Sequence, residues 1–136
     1  MISPTLDKIR VFLHLLAVTV WVGGQIVLAG IVPQVRRVAP EAMKAIAQGF
    51  ARIAWPAFLV IVFTGVWGLA TIDMTAESSQ YMATFGVKML LVGLAAVATL
   101  IHSNGTSKAA KGIGGAASLL TSLLAAFAGV LMAHVG

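Results

Sequence analysis

The side chains that could do chemistry in this sequence are few, and most lie inside long apolar runs. His14 is followed by Trp21 seven residues on and by Gln25 eleven residues on. At about 100° per residue the three share one face of a helix. A neutral imidazole is the commonest metal ligand of proteins and an axial ligand of haem iron. Polar groups in hydrocarbon are costly, so such a face is expected to point into protein. His14, Trp21 and Gln25 are therefore candidate cofactor-binding residues, and His14 is also a candidate metal ligand. The plain alternative is a histidine bonded to a neighbouring helix.

Lys88 lies about six residues into an apolar run, so about 9 Å below the membrane surface in a helix. It can snorkel. It can also offset the charge of a carboxylate, such as a haem propionate, or of another anionic ligand. Its depth matches that of His14, so the two are expected to be able to face one another. His134 closes the last apolar run at a similar depth and is a candidate second metal ligand. Its helix carries a stripe of small and polar residues at Ser118, Ser122, Ala125, Gly129 and Met132, which usually marks close helix packing. His134 projects away from that stripe, on the face with Leu120, Phe127 and Leu131. His102 is fourteen residues from Lys88, about 21 Å along a helix, too far to join the same small site. Its expected role is to cap a helix end.

Met74, Met82, Met89 and Met132 fall toward one end of the apolar runs. Thioethers suit Cu(I), which makes Met89 a candidate metal ligand beside His14. Methionine is also common packing material. There is no cysteine, so thiolate sites and disulfides are excluded. The acidic residues Asp7, Glu41, Asp73 and Glu77 fall outside the apolar runs, which leaves no carboxylate cluster for a hard cation. No phosphate loop and no nucleophile triad occurs.

These residues have to be positioned by very apolar elements. Of 136 residues, 60% are hydrophobic and 10% are charged. A soluble domain carries about 25% charged residues. The mean hydropathy is +1.00. Composition excludes an ordinary soluble domain and a disordered chain. The net charge of +5 is expected to set membrane topology rather than to bind nucleic acid.

Four runs are long enough to span a bilayer as helices, at about 9–32, 54–72, 82–101 and 113–135. Backbone polar groups in lipid must be paired within the segment, and strand-like alternation is absent. The expected fold is all-α: a single integral membrane domain, residues 1–136, forming a four-helix bundle. The first run is expected to stop at Pro33. It is too long for a signal peptide and two arginines follow it, so a retained helix is expected. Arg36, Arg37, Lys44, Arg52, Lys108 and Lys111 flank one side of the membrane, against Lys8 and Arg10 on the other. The positive-inside rule then places both termini outside and the basic loops in the cytoplasm, in a plasma or inner membrane.

Between the first two spans, Glu41, Lys44, Gln48 and Arg52 recur at helical spacing, with Met43, Ile46, Phe50 and Ile53 on the opposite face. This predicts an amphipathic helix at the interface, bending into the second span near Pro56.

The run His14-Leu-Leu-Ala-Val-Thr-Val-Trp21-Val-Gly23-Gly24 resembles the first helix of the copper-resistance D (CopD) family. It is also similar to HemJ-type protoporphyrinogen oxidases, four-helix proteins of about this length. The likeness continues through Arg52 to Pro56, Thr64-Gly65-Val66-Trp67-Gly68-Leu69, and Gly86-Val87-Lys88-Met89-Leu90 with His102 downstream. It implies that His14 ligates haem or a metal and that Lys88 is functional. The segment Leu28-Ala-Gly-Ile-Val-Pro33-Gln-Val-Arg36-Arg37 departs from the HemJ pattern.

Three readings follow. The first is a small CopD-like membrane protein that binds copper or haem b near the outer leaflet through His14. The second is a HemJ-like haem-b oxidoreductase acting on a porphyrinogen. The third is an accessory subunit whose polar residues only pack. The expected partners are the lipid bilayer and, beyond it, other membrane subunits or further copies of the chain.

Overall fold

The computed structural model describes residues 4–133. Its elements in chain order are α1 (Leu6–Val18), a π-turn (Thr19–Gly23), α2 (Gly24–Val38), a 3-10 turn (Pro40–Ala42), α3 (Met43–Leu69), α4 (Ser79–Asn104) and α5 (Lys108–Met132). Among the described residues there is no strand. The first three elements run on as one helix, Leu6–Val38, so four helices are long and apolar enough to cross a membrane. The expected all-α class with four spanning helices is what the chain forms. It is an integral membrane protein by the length and composition of those helices.

The exposed surface explains the composition. Leu59, Phe63, Leu90, Phe127 and Leu131 are exposed, whereas the buried positions among the described residues are alanine, glycine, serine and threonine with one large residue, Trp21. This distribution suits lipid, where large apolar side chains gain little by turning inward and small ones let helices approach.

The chain divides into two compact units, 1–72 and 73–136. In the first, α1 and α2 run antiparallel to α3. In the second, α4 and α5 pair as a hairpin.

One proline differs from expectation. Pro33 does not end the first helix, which continues to Val38. Pro56 likewise sits inside the unbroken α3. Each removes one backbone donor, a loss that long membrane helices tolerate. The amphipathic pattern at 41–53 is present. Glu41, Lys44, Gln48 and Arg52 are exposed, and Met43, Ile46 and Phe50 are half-buried. This segment is continuous in helical structure with the second span, with Pro56 inside α3. Its apolar face has a protein partner, because the Phe50 ring covers Gly24 of α2. A Cβ at Gly24 would lie 2.5 Å from Phe50 Cε2. Ile53, by contrast, is exposed.

The α4–α5 seam follows the predicted stripe. Gly114, Ser118, Ser122, Ala125 and Ala128 are buried, facing Ala95 and Ala98. Thr99 Oγ1 donates its proton to the Ala95 carbonyl, 2.8 Å away, and accepts from Ser118 Oγ at 2.6 Å. Gly114 is where the backbones meet. A Cβ there would lie 2.9 Å from His102 N and 3.0 Å from the Ala98 carbonyl oxygen.

Candidate functional site

In the first unit, α1 presents its polar groups to α3. His14 Nδ1 lies 2.8 Å from Thr64 Oγ1. Thr64 is 1% exposed, and its hydroxyl has one proton to give. The Val60 carbonyl, 2.6 Å away and one turn back on α3, takes it. Thr64 therefore accepts from His14, so the neutral ring is protonated at Nδ1 and carries its basic lone pair at Nε2. A metal-ligating histidine is usually held in this way, with one ring nitrogen donating to a fixed acceptor and the other left basic.

The ring lies against Gly65, where an added Cβ would be 3.8 Å from His14 Cε1. One turn earlier on the same face, Arg10 lies over Gly68, and a Cβ there would be 2.6 Å from Arg10 Nη1. The Arg10 side chain is 17% exposed. Its Nε and Nη2 both donate to Asp7 Oδ1, at 3.1 and 2.7 Å. Sequence reasoning counted Arg10 only as a flanking charge. The signal that could have found it is that Gly65 and Gly68, like Arg10 and His14 on an antiparallel partner, lie about one helical turn apart.

Trp21 is buried within the π-turn, with ring centroids 5.6 Å from Trp55 and 4.7 Å from Phe58. His14 and Trp21 thus both face α3, as the shared face predicts. A π-turn inserts an extra residue per turn and commonly accompanies functional positions. Half-buried Gln25 folds back on its own helix, and its Nε2 donates to the Trp21 carbonyl at 3.1 Å.

The other candidates lie in the second unit. Lys88 is half-buried on α4 and reaches across to α5. A Cβ at Gly129 would be 3.2 Å from Lys88 Nζ. Met89 is exposed beside it. His102 Nδ1 donates to the Lys111 carbonyl in the first turn of α5, which ties the two helix ends together. His134 lies outside the described residues. Among the described residues no cluster of three or more histidine, cysteine or acidic side chains could hold a metal. The structure therefore joins His14 to Thr64, Gly65 and, one turn away, Arg10, within one hairpin.

Between the hairpins, Asp73 accepts from the backbone N–H and the hydroxyl of Thr75, at 3.0 and 2.7 Å. These bonds hold its carboxyl below the usual carboxylate range.

Compared with known protein families, with curated proteins and with solved structures, the chain matches none of them.

Proposed function

We propose that this is a CopD-like membrane protein of the plasma or inner membrane that binds haem b near the outer leaflet, with His14 as the residue that would hold its iron. The observation that carries the reading is the Thr64 hydroxyl. Committed to the Val60 carbonyl, it is set to accept from His14 Nδ1, which supports Nε2 as the nitrogen that would hold the iron.

The donor set favours haem over copper. His14 meets the Thr64 hydroxyl and lies against Gly65, and the Arg10 guanidinium lies one turn away over Gly68. The methionine described in the same hairpin is Met43, about 30 Å along α3 from Thr64. Copper(I) prefers a cluster of soft donors, and a guanidinium one turn away opposes a bare cation. The same guanidinium suits a cofactor bearing carboxylates, because arginine pairs with them in a bidentate fork.

Haem b, when bound, supplies one-electron chemistry. Thr64 fixes the imidazole plane and its tautomer. Arg10, partly neutralised by Asp7, offers donors at the same face. Trp21, Trp55 and Phe58 form a rigid apolar floor deeper in the hairpin. The basic flanks Arg36, Arg37, Lys44 and Arg52 support placing both termini, and with them His14, on the outer side.

The test is an absorption spectrum with metal analysis on protein purified gently with its lipids. A Soret band that disappears in His14→Ala supports the reading. Stoichiometric copper without that band replaces haem by copper. Neither signal overturns the site.

A further inference from the structure

The mouth of the α4–α5 hairpin holds a second polar constellation, built from different residues. Tyr81, Thr84 and Lys88 recur at spacings of three and four on α4, so they lie on one face, and all three are half-buried. A groove of about 360 Å³ opens at this end, lined by Ser78, Gln80, Tyr81, Thr84, Leu131, Met132 and Ala133. Lys88 does not line this groove but lies one turn inward from Thr84, about 6 Å away on the same face, close enough for its four-carbon arm to swing to it.

The position of Lys88 differs from that of a snorkelling lysine. Thr99 meets Ser118, and His102 lies against Gly115. Carried back along the antiparallel pair, that pairing places Lys88 opposite Gly129. Its ammonium lies at Gly129 too. The side chain crosses the seam sideways instead of running to the helix end. Among the described residues it makes no hydrogen bond and no ion pair. The acidic residues of this unit, Asp73 and Glu77, precede α4, at the connection. A lysine at membrane depth calls for an anion, and this hairpin has no carboxylate within its helices.

We propose that this groove binds the phosphodiester headgroup of an anionic lipid, with Lys88 as the counter-charge and the Tyr81 hydroxyl as a donor at the entrance. Two features favour a lipid over a free anion. The site opens at the end of a spanning hairpin. Its rim continues into Phe127, Val130 and Leu131, which are about 60% exposed and can take the acyl chains. The site does not involve His14 and stands or falls independently of the haem reading.

The full chain, reconstituted in phosphatidylcholine vesicles, is probed with spin-labelled phosphatidylglycerol and, separately, spin-labelled phosphatidylcholine. The fraction immobilised on the protein is compared between the two. The wild-type protein is expected to prefer phosphatidylglycerol. Lys88→Met is expected to lose about tenfold of that preference, the worth of a hydrogen bond to a charged group. Lys88→Arg is expected to keep it. Gly129→Leu, which fills the space beside the ammonium without touching charge, is expected to reduce it. Helicity by circular dichroism identifies folded variants, and Lys88→Gln replaces Lys88→Met if the latter fails. Unchanged preference in folded Lys88 variants overturns the proposal. Displacement of the immobilised lipid by millimolar inorganic phosphate would also overturn it, showing a site for aqueous anions instead.

Discussion

Replacing Thr64 with valine removes one hydroxyl and leaves nearly the same volume. The site is 1% exposed, so water cannot take over the lost bond. The Val60 carbonyl keeps its helical partner, because the backbone N–H four residues on still donates to it. The whole effect therefore falls on His14 Nδ1, which loses the acceptor at 2.8 Å. Leaving a buried donor unpaired costs about 1–3 kcal/mol in water-soluble proteins. Hydrogen bonds between membrane helices average about 0.6 kcal/mol, because the unfolded helices find other partners. A loss of about 1 kcal/mol is the expected compromise. The tautomer is the sharper readout. In the wild type, nitrogen NMR of labelled histidine is expected to show His14 protonated at Nδ1. In Thr64→Val the Nε2–H form becomes populated. Loss of such a supporting contact usually weakens a metal site by about 10–100-fold. The haem affinity of Thr64→Val is therefore expected to fall by that factor, while His14→Ala abolishes binding. A wild-type ring protonated at Nε2, or a variant with unchanged tautomer and unchanged stability, would refute the reasoning.

Three further outcomes follow from the same geometry. Gly114→Leu drives a side chain into the α4 backbone, where even a Cβ lies 2.9 Å from His102 N. It is expected to destabilise the hairpin by about 1–3 kcal/mol in a denaturation series, and Gly112→Leu, with open space in front, to do much less. Asp73 is expected to titrate below a model aspartate by NMR, and Thr75→Val to raise it toward the ordinary value. Because the folded-state pKa is depressed, the stability it contributes is present above the unfolded pKa and lost as pH falls through the folded one. A reporter fused after Gly136 is expected to be active only in the outer compartment, and cytoplasmic activity would reverse the topology.

Which parts of this arrangement are legible in the sequence follows from what each signal encodes. Hydropathy encodes burial in lipid, so the four spans are plain. The small-residue stripe of α5 encodes close approach, and Ser118, Ser122 and Ala125 are buried as that stripe predicts. The common face of His14 and Trp21 is also readable, because periodicity is a property of one helix. Pairing between helices is a different matter. Nothing local says that His14 meets Thr64 rather than a polar group on another span. Arg10 reads as a topogenic charge until Gly68 is placed beneath it. Pro33 reads as a stop, because in water its missing donor favours ending the helix, whereas in lipid an interrupted helix still pairs nearly all its backbone. The π-turn at Thr19–Gly23 has no composition signal of its own.

The account turns on whether His14 ligates a cofactor through Nε2. The most direct measurement is the absorption spectrum of the gently purified wild-type protein beside that of His14→Ala. The account predicts a Soret band in the first and none in the second, with both proteins equally helical. A Soret band of equal strength in folded His14→Ala would contradict it, as would a wild-type protein that carries no haem and takes up none when haem is added.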